Sequence, residues 1–138
     1  MNIYNLGGCH VELDIEETVK WYETSNGWGC DCSHCRNFLQ LAKKRALSKN
    51  TLDVLDELGI PLEKATYVGE LFTDEEGVHY QFSYRLVGTI LDNLGTPSTG
   101  YGDVGRCCHE PYPYGAPGFP EPHFDLEFYE TLPWVLEE

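Results

Sequence analysis

Cys30, Cys32 and Cys35 stand within one six-residue run, Cys30-Asp31-Cys32-Ser33-His34-Cys35, of a chain of 138 residues. Thiolates held on so tight a turn can meet a single ion with little backbone search. Zn2+ takes about four soft or borderline ligands in a tetrahedron, and three of them are local here. The fourth is expected from Cys107, Cys108 or His109, with Cys9, His10 and His34 as weaker candidates. A bond from the first group would close a loop of roughly 70 residues, whose ends are otherwise entropically costly to hold together. The pattern is less specific than a doubled Cys-x-x-Cys, and unligated cysteine is among the most buried residue types. A second chemistry uses the same residues. Cys32-Ser33-His34-Cys35 is a Cys-x-x-Cys at a helix start, where amides and dipole favour a thiolate and hence thiol–disulfide exchange. A third possibility is a metal-dependent enzyme with three protein ligands and a water.

Those cysteines need a positioning frame. Phe38, Leu41 and Ala42, flanked by Leu39 and Ala46, recur at helical spacing over about Ser33–Leu47, with Ser33 or Asp31 as the cap. Leu52, Leu55 and Leu58 mark a second helix that starts near Asn50 and stops at Gly59 and Pro61. Joined by a short link, the two form an expected helical hairpin. Glu16 to Glu23 is undecided as a short helix. Val78, Tyr80, Phe82, Tyr84 and Leu86 alternate with polar residues, a period that no helix explains. Val11–Ile15, Thr66–Thr73 and Phe124–Phe128 read as further strands, with a hairpin loop at Asp74–Gly77. From Gly95 to Pro122, six glycines and six prolines argue for a long loop with neither helix nor strand. The Cys107-Cys108-His109 run offers a way to pin it.

The expected fold is α+β. It is a single domain over residues 1–138, with a mostly antiparallel sheet of four to five strands, the helical hairpin on one face and the long Gly/Pro-rich loop. The inward set is Val11, Leu13, Leu55, Tyr80, Phe82, Tyr84, Leu126 and Phe128. A chain of this length buries a sizeable core without disulfides.

The chain carries 23 acidic and 9 basic residues, a net charge of −14. A surface so acidic disfavours general binding to nucleic acid or anionic membranes. Five of the basic residues, Arg36, Lys43, Lys44, Arg45 and Lys49, lie in one stretch. They read first as a solvated face opposite carboxylates of the same chain, and second as a docking patch. No apolar run is long enough for a membrane helix. The first residues carry no basic region followed by an apolar stretch, so a reducing cytoplasmic compartment is expected, without a disulfide framework.

Glu12, Asp14, Asp125 and Glu127 alternate out of the first and last strands and read as a solvated sheet face. Were those strands neighbours, the four carboxylates, with His79 and Arg85 close, could bind a hard cation or work as an acid–base pair. His79 itself reads as a surface residue and His123 as loop packing. Tyr112, Tyr114, Phe119 and Phe124 read as aromatics that fold a proline-rich loop onto its own domain, or as a platform for a peptide or base.

The run Cys30-Asp31-Cys32-Ser33-His34-Cys35-Arg36-Asn37-Phe38 belongs with two others, Tyr80-Gln81-Phe82-Ser83-Tyr84 and Phe124-Asp125-Leu126-Glu127-Phe128-Tyr129, the last leading to Leu132-Pro133-Trp134-Val135-Leu136. Together these resemble a group of small uncharacterised bacterial proteins. The resemblance implies a bacterial, cytosolic, single-domain protein and transfers no catalytic residue. The expected role is a cytoplasmic interaction module with an unidentified protein partner, stabilised by structural zinc at the cysteine cluster. No catalytic site is readable.

Overall fold

The alternating run becomes one long strand along which the other elements are arranged. The computed structural model describes residues 2–6, 9–25, 32–92, 102–108 and 118–136. Within them are β1 (Asn2–Leu6), β2 (Cys9–Leu13), α1 (Ile15–Thr24), α2 (Ser33–Lys43), α3 (Lys49–Leu58), a short 3-10 helix (Leu62–Lys64), β3 (Tyr67–Asp74), β4 (Gly77–Asp92), β5 (Gly102–Cys108) and β6 (His123–Leu132). The strands form one six-stranded sheet, ordered β1-β2-β4-β6-β5, with β3 also pairing β4. Every pairing is antiparallel. The architecture is α+β, as the sequence predicts.

The strand β4 has two partners on one edge. β3 pairs with its first half, up to Tyr67 opposite Ser83, and β2 with its far end, from Leu13 opposite Gly88. Between them the backbone of β4 would be left without a ladder, and buried amides and carbonyls must find partners. The helix α1 supplies them. Its Thr18 Oγ1 accepts from Val87 N at 3.0 Å, and Tyr22 Oη donates to Arg85 O at 2.8 Å. Asp14, just before α1, donates its N–H to Val87 O at 2.9 Å. Gly88 marks the changeover. Its φ is +156°, and a Cβ there would lie 2.0 Å from Glu12 O, so no larger residue fits.

One face of the sheet is the core. Tyr80, Phe82, Tyr84 and Leu86 of β4 stand opposite Glu130, Phe128, Leu126 and Phe124 of β6. The Phe82 ring lies 4.7 Å from Phe38 of α2 and 5.6 Å from Phe128. All eight residues of the predicted inward set are buried. Complete burial of such a side chain contributes roughly 1.5–3 kcal/mol. Asp14 caps α1 by accepting from Glu17 N at 3.1 Å, and Ser48 caps α3 by accepting from Thr51 N at 3.3 Å. Glu130 of β6 adds to the start of α3, accepting from Ser48 N at 2.9 Å and from Thr51 Oγ1 at 2.6 Å. A carboxylate there also suits the positive end of the helix dipole.

Several expectations need correction. The span from Gly95 to Pro122 is not strandless, because β5 lies inside it and pairs β6. The sheet has six strands rather than four or five, β1 being unexpected. The two long helices do not close on each other as a hairpin. The first, α2, packs on β3 and the 3-10 helix, whereas α3 packs on β5, so the pair spreads over the sheet. The cap of α3 is Ser48, not Asn50, and that of α2 is Cys32, not Ser33 or Asp31.

Candidate functional site

The cysteine turn meets the body of the protein at the first residues of α2. Cys32 is its N-cap, and its Sγ accepts the Cys35 N–H at 3.4 Å. Cys32 is exposed and Cys35 is buried. The turn is held from below. Tyr80 Oη donates to His34 O at 2.6 Å, and the His34 ring packs edge-on against Trp134 at 5.5 Å. Burial pushes the Tyr80 phenol up to about 12, and the nearby Cys35 and Cys32 add to the rise. One helical turn on, Asn37 is wholly buried. Its Nδ2 donates to Pro133 O at 3.1 Å and to Tyr80 Oη at 3.3 Å, and its Oδ1 accepts from Val135 N at 2.7 Å. Asn37 therefore ties α2 to β4 and to the segment after β6. Cys30 and Asp31 lie outside the described residues.

The distant cysteines occupy positions in the sheet. Cys107 stands opposite Leu126 and Cys108 opposite Asp125, both on β5. Leu126 in turn faces Tyr84 on β4, while the cysteine turn lies over Tyr80, which faces Glu130. These positions are thus four residues, roughly 13 Å, apart along the strands and two strand spacings, roughly 10 Å, apart across them. Sulfurs bound to one zinc ion lie within about 4 Å of each other, given Zn–S bonds of about 2.3 Å. The ladder does not bring the Cys107–Cys108 positions to the turn. His109 lies outside the described residues. Of the weaker candidates, Cys9 and His10 are strand positions of β2, and His10 stands opposite Asp92 at the other end of β4.

The second cluster lies on the sheet face opposite the helices. Arg85 Nε donates to Asp125 Oδ1 at 3.0 Å, and both side chains are buried, 5% and 1% exposed. Gln81 Nε2 donates to Glu127 Oε2 at 3.1 Å. Ser83, between Gln81 and Arg85 and opposite Glu127, is completely buried, and its hydroxyl has no hydrogen-bond partner. Asp125 and Glu127 therefore do not form the solvated face that their alternation suggests. Nor do they join Glu12 and Asp14, because β2 and β6 flank opposite edges of β4. Asp14 is spent on the cap of α1.

His79 is also less exposed than expected. Its ring stacks on Phe72 at 4.1 Å, Nδ1 meets Thr131 Oγ1 at 2.9 Å, and Nε2 lies 2.9 Å from Asp74 Oδ2, close but not aligned as a hydrogen bond. Asp74, Glu76 and His79 could offer ligand atoms within 4.8 Å of one another. The Asp74 carboxylate already has protein partners, since Oδ1 accepts from Glu76 N at 2.9 Å. The His79 contact holds the Asp74 carboxyl below its usual range. A depressed folded-state value means that this contribution is complete above the unfolded value and is lost as pH falls through the folded one. Acid titration of the β3–β4 hairpin, followed by the amide signals of residues 74–79, is therefore expected to show loosening below the ordinary carboxylate range. Asp74→Asn abolishes that acid-side change, and an unaltered titration in the variant contradicts the assignment.

Two of the five basic residues follow the simpler reading of that stretch. Arg45 pairs with Asp56 at 2.5 Å and Lys49 with Asp53 at 2.6 Å, all on exposed surface. Such pairs contribute little to stability. His123 packs as expected, with Nδ1 3.0 Å from Pro120 O and its ring against Phe119. Phe119 and Phe124 are buried, whereas Tyr112 and Tyr114 lie outside the described residues. No helix among the described residues is long and apolar enough to cross a membrane. No protein-family model, curated protein or solved structure matches the chain.

Proposed function

We propose that this is a cytoplasmic binding module whose Cys30–Cys32–Cys35 turn holds a structural zinc ion at the start of α2. The observation that carries the reading is the Cys32 sulfur, which caps α2 and accepts the Cys35 N–H. An N–H donor and the positive end of a helix both favour the thiolate, the form that binds zinc. Cys30 supplies a third sulfur from the same turn. The fourth ligand is a remote one from the Cys107-Cys108-His109 run, with His109 ahead of Cys107 and Cys108, whose ladder positions on β5 lie across the sheet from the turn. Cys32→Ser is expected to lose the zinc and to melt several degrees lower, while Cys107→Ser/Cys108→Ser keeps it. Zinc retained by the first variant, or lost by the second, overturns this ligand set.

A second reading has its own support in the exposed Cys32 and buried Cys35. That asymmetry suits an attacking thiolate and a protected resolving thiol. The Cys32 thiolate would open a substrate disulfide to a mixed disulfide, expelling one thiolate. Cys35 would then displace the second, leaving a Cys32–Cys35 disulfide and a reduced substrate. Turnover of a model disulfide by metal-free protein, with an added dithiol to re-reduce the Cys32–Cys35 disulfide and lost in Cys32→Ser, favours this reading over zinc.

A further inference from the structure

We infer that the outer edge of β3, from Glu70 to Asp74, docks an extended partner segment that alternates basic and apolar residues and joins the sheet as a further strand. The inference rests on the binding-module part of the proposed function and is independent of the zinc ion.

β3 pairs with β4 and with no other strand among the described residues. Its other edge therefore carries backbone N–H and C=O groups that no ladder among these strands uses, and such an edge is a template for another chain. The open part has clear limits. Val68 is buried, whereas every residue from Glu70 to Glu76 is exposed. Within that stretch Leu71 and Phe72 stand next to each other, 41% and 44% exposed. The register shifts between Glu70 and Phe72, so Leu71 has no position opposite it on β4. Bulges of this kind re-aim side chains at sheet edges. The inner side of the edge is firm. Phe72 stacks on the His79 ring at 4.1 Å, and β4 is paired to β6 from Val78 to Val87. An edge already held in strand form reduces the ordering cost of binding.

Charge selects the occupant. From Ala65 to Tyr84 the chain has four carboxylates, Glu70, Asp74, Glu75 and Glu76, and no Lys or Arg. Glu70, Glu75 and Glu76 enter no ion pair among the described residues. Basic side chains spaced by two along an added strand meet these carboxylates, and apolar ones between them cover Leu71 and Phe72. Main-chain bonds then give affinity, and the alternate side chains give specificity. A second copy of this chain is the poorer occupant. Two β3 edges paired antiparallel about Phe72 would set Glu70 opposite Asp74, and like charges directly opposite are destabilising. Each chain also brings a net charge of −14.

The full-length protein is titrated with a fluorescent seven-residue peptide that alternates lysine with valine and is blocked at both ends. Anisotropy reads the affinity and amide chemical shifts read the place. The peptide is expected to bind more weakly as salt rises and to move the amides of residues 70–74 most. The same peptide with proline for its central valine keeps the charge but cannot continue the ladder, and is expected to bind about tenfold more weakly or worse. Glu70→Gln/Glu75→Gln/Glu76→Gln and Leu71→Ser/Phe72→Ser alter exposed side chains only, and each is expected to lower affinity about tenfold. Absence of binding, equal binding of the proline peptide, or shifts centred elsewhere overturns the inference. Self-association through residues 70–74 in place of peptide binding makes a second copy the occupant and overturns it too. Zinc content of the same samples separates the two readings. Peptide binding by metal-free protein keeps this inference and removes the zinc, whereas zinc-loaded protein that ignores the peptide does the reverse.

Discussion

Asp125→Ala is expected to destabilise the protein by about 3–5 kcal/mol, the cost of breaking a buried ion pair by removing one partner. Arg85 and Asp125 are 5% and 1% exposed, so water cannot take over the missing carboxylate without opening the sheet. The energy lies in removing one member of a buried pair rather than in the attraction between the two. Replacing both partners together, as Arg85→Met/Asp125→Leu, is therefore expected to recover most of the loss. Urea unfolding checks both statements through a shift in midpoint at unchanged slope. A loss below about 1 kcal/mol in the single variant would mean that the pair behaves as a surface pair.

The second large effect is expected at Asn37. Its amide joins three partners, Tyr80 Oη, Pro133 O and Val135 N, at 3.3, 3.1 and 2.7 Å. Asn37→Ala removes the buried bond to Tyr80 Oη and the partly buried bonds to Pro133 O and Val135 N, each contributing about 0.5–1.5 kcal/mol, or more where a buried group is left unmet. A loss of about 2–5 kcal/mol follows, with hydrogen exchange at Val135 accelerated towards that of an unprotected amide. Asn37→Asp keeps the acceptor for Val135 N but loses the donor to Pro133 O, so it is expected to protect Val135 while remaining less stable than the parent. Equal exchange at Val135 in the parent and Asn37→Ala would show that this contact does not hold the C-terminal segment. The site depends on the same residue, because Asn37 and Tyr80 together seat the turn that carries Cys32 and Cys35.

What the sequence made legible was local. Val78 to Leu86 alternate so strictly that β4 and its buried face follow from the period alone, and the whole inward set came from such patterns. β5 escaped because Gly102–Cys108 has the composition of a turn. Its strand character comes from the ladder to β6, and tertiary pairing overrides weak strand propensity. β1 escaped because Asn2-Ile3-Tyr4-Asn5-Leu6 shows no clean alternation, and its pairing to β2 defines it. The acidic face was misread for a related reason. Alternation says that Asp125 and Glu127 share a side, but not that Arg85 and Gln81 lie beside them or that the side is covered. The usable signal was a matching Gln81-x-Ser83-x-Arg85 on the best strand, complementary to Asp125-x-Glu127. Remote convergence of cysteines was likewise beyond local reading, because it depends on strand register.

The zinc reading stands or falls on metal content. Freshly purified protein, analysed for elements and titrated for thiols before and after a chelator, tests it directly. The expected result is about one zinc ion per chain, with Cys30, Cys32 and Cys35 shielded from thiol reagent until the metal is withdrawn. Metal-free protein whose six cysteines react alike with and without chelator, and whose melting is unchanged by it, would contradict the account.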